Sequence, residues 1–410
     1  MGRGTVVVGG GQAGVQVALE LRRRGEREGI TVVGEEPRAP YQRPPLSKEF
    51  LAGDYDVGRL AFRKPEYYAE AGIDLLTGER VVDTGNGVLV TDRGRELPYD
   101  RIALATGAAP RKLAVPGAGL GGVHHLRDLT DAFRLREELA WARHVVVVGG
   151  GFVGLEVAAA ARAQGKEVTV VEAADRLLGR SVAPVVSEFY RQAHTRRGTV
   201  VRLSASVTGF DGESGRMTGV LLGDGSRVPA DLVLVGVGAV PRTDLAERLG
   251  LEVDGGIVVD ACSRTSRPGV VAAGDCTVRP HPRTGDGRIR LESVPNALAQ
   301  ANAAAAALLG QEEADTSVPW FWSHQGDLTL QIAGLSTGYD HCVVRGAPDE
   351  ERFSVLYYRQ GELLAVDAVN RPADYMAVRR ALTIGAHIPA DGAADAEVPL
   401  KTLFCERTTV

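Results

Sequence analysis

Short apolar runs separated by glycine-rich turns dominate the hydrophobic pattern of this chain. Val6–Val8 is β-branched throughout and too short for a helix, so it predicts a buried parallel strand. A helical apolar rhythm follows from Val15 to about Gly25, and Ile30–Gly34 predicts a second strand. A strand, a helix and a strand in this order are typical of a βαβ unit in a parallel sheet.

The turn of this first unit carries chemistry as well as structure. Gly9, Gly11 and Gly14 have GxGxxG spacing, and Glu35 ends the second strand about 20 residues later. The three glycines allow a tight turn, close approach of a pyrophosphate, and close packing of helix on strand. The acid can accept both ribose hydroxyls. The pattern therefore predicts a dinucleotide site.

His144–Glu172 repeats the whole pattern. It contains a strand, a second GxGxxG (Gly149, Gly151 and Gly154), a helix, a strand and a terminal acid, Glu172. Two such units predict two bound dinucleotides, and we favour this over one active site beside a decayed copy.

Small residues at two further strand ends would let a ligand approach the backbone. Asp100–Leu104 runs into Thr106 and Gly107, and Asp231–Val235 runs towards Gly238. Both resemble the carboxyl edge of a parallel sheet, where ligands of such folds bind.

The order of the segments predicts a nested α/β fold. Val270–Ala272 ends in Gly274 and Asp275, a third strand edge of the same kind, so we expect the chain to return there to its first domain. From about Val318 four strand-like segments and one helix predict a separate α+β domain; they are Leu328–Ile332, Cys342–Arg345, Ser354–Arg359, Glu362–Val369 and the helix Asp374–Leu382. The expected division is a first dinucleotide domain at 1–108 and 231–316, a second at 109–230, and a C-terminal α+β domain at 317–410.

Composition excludes several classes of function. The 410 residues carry a net charge of −5, which gives no reason to expect nucleic acid or an anionic membrane as partner. The apolar run Ala297–Leu309 is too short to span a bilayer. The four cysteines form no CxxC pair, which argues against a disulphide scaffold, a zinc site and a dithiol centre. The histidines show no ligand spacing, so no metal is expected. The first strand leaves no room for a signal peptide, and we expect a cytoplasmic protein.

The loop after the first unit, Ala39–Leu51, contains two tandem prolines and predicts an extended segment before a helix near Ser47. Its Arg43 and Lys48 would bring positive charge to the carboxyl edge of the sheet, although a simple surface connector is the alternative.

Two dinucleotides on one chain predict electron transfer, usually of a hydride from a nicotinamide to a flavin. Lys48 suits the stabilisation of negative charge on a reduced flavin. Glu156 would lie in the first turn of the second nucleotide helix and could pair with Lys48. Solvated surface charges are the alternative for both residues.

The full length resembles a known family, the FAD-dependent NADH:ferredoxin reductases, which include the putidaredoxin and rubredoxin reductases. The resemblance rests on VVVGGGQAG, PYQRPPLSK, LATGA, VVVVGGGFVGLEVA, VGVGAVPRT, AAGDC, PWFWSHQ and VNRPADYMAVRR, in that order. It implies two nested Rossmann-like domains of glutathione-reductase type plus the C-terminal domain. FAD would bind the outer nucleotide domain and NADH the inserted one.

The resemblance also implies roles for individual residues. The resemblance assigns Ala13, Glu35, Lys48, Val81, Arg127, Asp275 and Val294 to the FAD site. The further cofactor-binding candidates, in the first glycine turn, the loop and the strand ends, are Gly9, Gly11, Gly14, Arg43, Thr106, Gly107 and Gly238. The NAD site would comprise Gly149, Gly151, Phe152, Val153, Gly154 and Glu172. The catalytic set would be Lys48, Glu156 and Trp322, of which Trp322 resembles an aromatic residue beside the flavin pocket.

Two details qualify the resemblance. Glu172 is followed by alanines rather than arginine, which favours NADH, because a carboxylate repels a 2′-phosphate. The family usually has FWSDQY where this chain has FWSHQG, so an acid has become His324 and an aromatic residue Gly326. This departure bears on the identity of the electron acceptor.

The sequence therefore predicts a flavoprotein reductase that passes electrons from NADH through FAD to a small soluble iron–sulphur ferredoxin or rubredoxin. The acceptor would feed a cytochrome monooxygenase or a Rieske oxygenase and would dock by charge complementarity near Lys48 and the C-terminal domain. An NADH-sensing flavoprotein with little turnover and an NADH-dependent quinone or dye reductase are the alternatives. Either a monomer or a dimer is compatible with the sequence.

Overall fold

The computed structural model describes residues 4–85, 87–282 and 287–405. The chain divides into two compact units. The first comprises Met1–Gln42, Val57–Ala109 and Ala239–Ser317, and the second comprises Arg43–Asp56, Pro110–Gly238 and Val318–Val410.

The predicted strand around Val6–Val8 lies at the centre of the first unit. It spans Gly4–Val8, all five residues are buried, and it pairs in parallel with Ile30–Gly34 and with Glu96–Leu104. β-Branched residues suit such a strand, whose two faces are both covered. The strand order across this sheet is Ile73–Thr77, Ile30–Gly34, Gly4–Val8, Glu96–Leu104, Val88–Thr91 and Val81–Gly85.

The chain returns to this first sheet after the second nucleotide unit, as predicted. Val270–Ala272 pairs in parallel with Glu96–Leu104, and Val270 lies opposite Ile102. The helices Gln12–Arg23 and Val294–Leu308 contribute to one apolar cluster on the sheet. The remaining elements of this unit are the helices Val57–Leu60, Pro65–Glu70 and Asp244–Arg248 and the strands Ala239–Pro241, Ile257–Val258, Thr277–Pro280 and Arg288–Ile289. The short strand Ala108–Pro110 crosses the boundary between the units.

The second unit contains a parallel sheet built on the repeated motif. Its order is Val200–Arg202, Glu167–Val171, His144–Val148, Leu232–Val235 and Val123–His124. The helices of this part are Leu129–Trp141, Phe152–Ala163 and Pro184–Arg196, and an antiparallel sheet is formed by Val207–Glu213, Arg216–Leu222 and Arg227–Pro229.

One predicted boundary is wrong. The sequence assigned residues from 231 onwards to the first domain, but Leu232–Val235 pairs with His144–Val148 in the second sheet. The pattern failed because this strand has the same apolar run and small-residue end as Asp100–Leu104, and neither feature specifies which sheet a strand joins. The rest of the three-domain division stays a prediction.

The C-terminal part forms the predicted strands and helix, with one strand more than expected. Its antiparallel order is Trp320–Gln325, Leu328–Gly334, Glu362–Val369, Arg352–Arg359 and His341–Ala347. The additional strand is Trp320–Gln325. The helices are Pro372–Ile384 and Ala390–Ala393, and the other helical turns of the second unit are Pro44–Ser47, Glu49–Ala52, Pro348–Glu350 and Leu400–Leu403.

A buried guanidinium organises the end of this part. Arg345 is only 2% exposed, and it donates from Nε to Asp374 and from both terminal nitrogens to the carbonyl oxygens of Ala393, Asp395, Ala396 and Val398. An arginine has five N–H donors, and this arrangement uses them all.

Candidate functional site

The glycines of the first unit form the turn that the motif requires. Gly9 has φ +121°, and a Cβ there would lie 2.1 Å from the carbonyl oxygen of Ala105. A Cβ on Gly14 would lie 1.9 Å from the carbonyl oxygen of Gly9. A Cβ on Gly11, in contrast, would meet nothing within 4 Å. The structure therefore needs glycine at the first and third positions for packing, whereas the second faces open space at a helix N-terminus.

That N-terminus suits an anion. The helix Gln12–Arg23 starts at Gly11 without a side-chain cap, and its first turn contains no acidic residue. Backbone N–H groups at an uncapped helix start attract phosphate. A pyrophosphate beside Gly11 fits both the open space and the electrostatics of this end of the helix.

Glu35, the predicted ribose acid of the first unit, has a cationic partner. Its carboxylate accepts from the guanidinium of Arg242, and both side chains are more than a third exposed. The backbone of Arg242 also contacts the sheet edge, since its carbonyl oxygen accepts from Thr106 Oγ1 at 2.7 Å and its N–H donates to Gly107 at 2.9 Å. Thr106, Gly107 and Glu35 are thus brought together around Arg242, which the sequence analysis did not select.

Asp275 follows a turn that a buried amide holds. Gly274 has φ +86° and donates its N–H to Gln300 Oε1 at 2.8 Å. The same oxygen accepts from Thr277 Oγ1 at 2.9 Å. Gln300 is therefore a second functional candidate that sequence reasoning missed, and the available signal was its polar character within the alanine-rich helix.

The other first-unit candidates lie where packing requires small or apolar residues. Ala13 and Val81 are buried, and the Cβ of Ala13 lies 3.1 Å from where a Cβ on Gly274 would be. Val294 begins the helix Val294–Leu308, and Ser293 caps it by accepting from the N–H of Asn296 at 3.2 Å.

The second unit repeats the geometry of the glycine turn. Gly149 has φ +106°, and a Cβ on it or on Gly154 would lie 2.4 Å from a backbone oxygen. Gly151 again has nothing within 4 Å, and the helix Phe152–Ala163 starts there without a side-chain cap. A second pyrophosphate fits this N-terminus for the same reasons as the first.

Glu172 differs from Glu35 in its partners. Its Oε2 accepts from the backbone N–H of Gly150 at 2.6 Å, and its Oε1 accepts from that of Ala174 at 2.8 Å. Backbone donors orient this carboxylate at the end of its strand without neutralising its charge.

The remaining second-unit candidates for the dinucleotide differ in exposure. Phe152 packs against Phe321 with ring centroids 4.5 Å apart, whereas Val153 is 44% exposed. Gly238 has φ +105° and accepts from the N–H of Arg111 at 2.9 Å.

The predicted pair of Lys48 and Glu156 is present in the second unit. Lys48 Nζ lies 2.7 Å from Glu156 Oε2, and the carboxylate is almost fully buried. Lys48 also donates to Pro44 O at 3.0 Å and to Ser47 Oγ at 3.3 Å, so three acceptors surround the ammonium. Glu156 lies directly after the first turn of its helix and not, as predicted, within that turn, because the helix begins at Phe152.

Two serines complete the contacts of Glu156. Ser47 Oγ donates to Oε2 at 2.6 Å, and Ser323 Oγ donates to Oε1 at 2.7 Å. Ser323 in turn accepts from Gln325 Nε2 at 3.4 Å, and Gln325 Oε1 lies 2.8 Å from His194 Nε2. None of these four residues was predicted from the sequence. The signal for Ser323 and Gln325 was the alternation of the strand Trp320–Gln325, which turns both side chains to its buried face.

Arg43 and Arg127 lie together in the second unit. Arg43 Nη1 donates to the carbonyl oxygen of Arg127 at 2.6 Å. The N–H of Arg127 donates to Asp131, whose carboxyl pKa is raised chiefly by burial. Asp131 also completes a capping box with Asp128 at the start of the helix Leu129–Trp141. This helix start therefore fixes the backbone to which Arg43 is bound.

The aromatic strand places Trp322 beside Trp320, with the two rings stacked at 5.5 Å between centroids. His324 is exposed on the same strand, and its Nδ1 lies 3.1 Å from Thr329 Oγ1. Gly326 has φ +66° in the two-residue turn between Gln325 and Leu328. Glycine is favoured at the first position of such a turn, so Gly326 suits the tight hairpin.

Comparison with known proteins identifies the family. The family model described as pyridine nucleotide-disulphide oxidoreductase matches residues 3–301, and one described as reductase C-terminal matches residues 320–404. The chain belongs to the pyridine nucleotide-disulphide oxidoreductase family. This membership confirms the resemblance, the predicted fold class and the oxidoreductase class.

Individual members of the pyridine nucleotide-disulphide oxidoreductase family resemble the chain over its full length. Rhodocoxin reductase of Rhodococcus erythropolis is 45% identical over 97% of this chain and 93% of its own. A ferredoxin–NAD(P)(+) reductase of Sphingomonas sp. is 40% identical over 97% of each. The reductase fold in a covalent putidaredoxin reductase–putidaredoxin complex matches with a TM-score of 0.94 and 41% identity, covering 98% of both chains.

The sequence of this member of the family contains no CxxC pair. Cys262, Cys276, Cys342 and Cys405 are free thiols. Burial raises the pKa of the Cys262, Cys276 and Cys342 thiols. In the part of the chain that the structure describes, no group of three or more His, Cys, Asp or Glu residues could hold a metal ion. None of the helices described there is long and apolar enough to cross a bilayer.

Proposed function

We propose that this chain is an NADH-dependent flavoprotein reductase that passes electrons through FAD to a small iron–sulphur ferredoxin or rubredoxin. The observation that carries the proposal is the pair of open glycine positions, Gly11 and Gly151, at two uncapped helix starts in one chain. The predicted cofactors, FAD and NAD(H), are those of the family to which the chain belongs.

When bound, FAD accepts a hydride from a nicotinamide and releases electrons singly, which matches a two-electron donor to a one-electron acceptor. The protein has to bind the two cofactors, orient them, and compensate the negative charge that develops on the flavin. In the first unit Gly11 and the helix start would take the pyrophosphate of FAD, Glu35 a ribose, and Asp275 a hydroxyl of the ribityl chain.

In the second unit Gly151 and its helix start would take the pyrophosphate of NADH. Glu172 would accept from the adenosine ribose with the oxygen lone pairs that its two backbone donors leave available. Its negative charge disfavours the 2′-phosphate of NADPH. NADH is therefore the proposed donor.

Lys48 would supply positive charge where the flavin becomes negative. Its pairing with a buried carboxylate restricts the ammonium to one position, and a fixed charge stabilises a developing negative charge without reorganisation. Glu156 then acts as the positioning residue for Lys48, and Trp322 is the proposed aromatic neighbour of the flavin.

Two observations support the proposed acceptor: the cysteine content of the chain and the names of its relatives. The nucleotide turns contain no dithiol that could take electrons from the flavin, so an external acceptor is needed. Relatives of this chain carry names of ferredoxin and rhodocoxin reductases, and one is seen with putidaredoxin. Such acceptors would feed an oxygenase, and free thiols together with NADH as donor support a cytoplasmic location.

A two-stage stopped-flow experiment tests the proposal. NADH should bleach the flavin absorbance of the FAD-loaded protein within one turnover, and an iron–sulphur ferredoxin should then restore it promptly. A long-lived reduced form that ferredoxin does not reoxidise would instead indicate a sensor. Turnover that saturates with quinone or dye and ignores ferredoxin would indicate a quinone reductase. Failure of NADH to bleach the flavin would overturn the proposal as a whole.

A further inference from the structure

Glu156 is held from both sides by hydroxyl donors. Ser47 Oγ and Lys48 Nζ contact Oε2 at 2.6 and 2.7 Å, whereas Ser323 Oγ contacts Oε1 at 2.7 Å. Among the described residues Oε1 has no other hydrogen-bond partner, so Ser323 alone fixes the rotation of this carboxylate away from Lys48.

Ser323 belongs to a directed chain of buried polar groups. Its side chain is 0% exposed, Gln325 is 1% and His194 is 3% exposed. Burial also lowers the pKa of His194, which favours the neutral form of the ring. The neutral ring donates from Nε2 to Gln325 Oε1. The amide nitrogen of Gln325 then donates to Ser323 Oγ, and the Ser323 hydroxyl donates to Glu156 Oε1.

We propose that His194, Gln325 and Ser323 form a positioning chain that orients Glu156 and, through it, fixes the Lys48 ammonium for charge stabilisation at the flavin. This inference rests on the proposed function, because it assigns residues to the same site. All five residues belong to the second unit.

The hydrogen bonds of the positioning chain all run in one direction. His194 donates to Gln325, Gln325 donates to Ser323, and Ser323 donates to Glu156. The carboxylate is therefore the final acceptor. Buried polar groups are costly unless satisfied, and a fully satisfied chain has one low-energy arrangement. A fixed Glu156 leaves Lys48 with one preferred position for its charge.

The C-terminal sheet contains a serine that serves as a matched control for Ser323. Ser354 is also a fully buried strand serine, and its Oγ donates at 3.0 Å to the buried carboxylate of Asp374. Ser354→Ala therefore removes the same kind of contact from the same sheet without changing any partner of Glu156.

Ser323→Ala should slow the single-turnover reduction of the flavin by NADH about tenfold, because a small displacement of a charged group at a reacting centre costs this order of rate. The affinity for NADH should change less than about twofold, because Ser323 makes no contact with the glycine turn. Gln325→Leu, one link further away, should slow reduction about threefold for the same reason. Ser354→Ala should leave the rate unchanged.

A second readout does not depend on turnover. The lysines of the chain are Lys48, Lys64, Lys112, Lys166 and Lys401, so selective labelling of lysine Cε and Nζ allows Lys48 to be followed by NMR in the FAD-loaded protein. Ser323→Ala and Gln325→Leu should shift or broaden the Lys48 signal and leave the other four in place. Ser354→Ala should move none of them.

The outcomes separate this inference from the proposed function. If NADH fails to reduce the wild-type flavin, the proposed function fails. If the wild type is reduced normally while Ser323→Ala and Gln325→Leu match Ser354→Ala in both rate and the Lys48 signal, the positioning chain is overturned and the reductase stands. If Ser323→Ala does not fold, Gln325→Leu decides by the same two measurements.

Discussion

The two nucleotide helices, Gln12–Arg23 and Phe152–Ala163, begin at equivalent glycines but carry different chemistry two residues after the third glycine. In the first helix this position is Gln16, whose Nε2 donates to Asn302 Oδ1 at 2.9 Å. In the second it is Glu156, which holds Lys48. The same helix position thus makes a neutral hydrogen bond in the first unit and a buried ion pair in the second.

The acids at the strand ends differ in a related way. Glu35 pairs with Arg242, so its charge is compensated within the first unit. Glu172 is oriented by the backbone N–H groups of Gly150 and Ala174, which bring no formal positive charge to it. On the proposed function, the glycines of each turn would admit a dinucleotide, and a few side chains such as Glu35 and Glu172 would determine which dinucleotide binds.

The largest expected effect comes from closing the two open positions separately. Gly11→Ala should lower FAD affinity about 100-fold, and Gly151→Ala should lower NADH affinity about 100-fold, since a methyl group there occupies the space of a pyrophosphate. Neither Cβ meets a protein atom within 4 Å, so both variants should keep their thermal stability. Flavin absorbance after gel filtration and NADH titration measure the two affinities.

Each glycine variant is the control for the other. Gly11→Ala reconstituted at high FAD should bind NADH normally, and Gly151→Ala should retain its yellow colour. If either substitution weakened both cofactors equally, the two turns would not be independent sites.

Glu172→Arg should change the coenzyme preference by about 50-fold towards NADPH, because it replaces a charge that repels a 2′-phosphate with one that attracts it. The measurement is the ratio of kcat/KM values for NADH and NADPH. The same substitution at Glu35 should leave that ratio alone, and an unchanged ratio for Glu172→Arg would remove this residue from the ribose.

Lys48→Met should slow flavin reduction about 30-fold while FAD stays bound, because the fixed positive charge is lost. In Gln16→Leu, which changes the helix position equivalent to Glu156, NADH should reduce the flavin at the wild-type rate. Stopped-flow traces at saturating NADH measure both. A normal rate for Lys48→Met would clear the lysine of a role at the flavin.

Arg242→Ala should have the smallest effect, releasing FAD about threefold faster, since an exposed ion pair contributes little. The contribution should decline further with added salt. Flavin fluorescence after dilution follows the release. A rate of FAD release that rises tenfold or more, independent of salt, would mean that Arg242 contacts the cofactor itself.

Local patterns predicted much of this molecule. The apolar runs at Val6–Val8 and His144–Val148 form the central strands of their sheets. Short β-branched runs favour a parallel strand that is buried on both faces. The glycine spacing predicted both turns, and charge chemistry predicted the pair of Lys48 and Glu156. The roles of these residues towards the cofactors stay predictions.

Contacts between distant segments could not be predicted in this way. Ser323, Gln325 and His194 converge on Glu156 only after a strand and two helices have packed, and no spacing along the chain encodes that meeting. Polar residues on alternate positions of a strand show that one face is polar, but only the packed sheet shows that this face is buried. The misassigned strand Leu232–Val235 has the same cause, since its partner His144–Val148 is distant in sequence.

Arg345 has a consequence for the polypeptide that follows Ala393. Four carbonyl oxygens between Ala393 and Val398 are directed at one cation, much as a peptide loop encloses a metal ion. Lysine has too few hydrogens to replace it there. Cleavage of the chain just before these residues would leave a desolvated positive charge facing Asp374 alone, so the segment is an integral part of the sheet's interior and not an appendage to it.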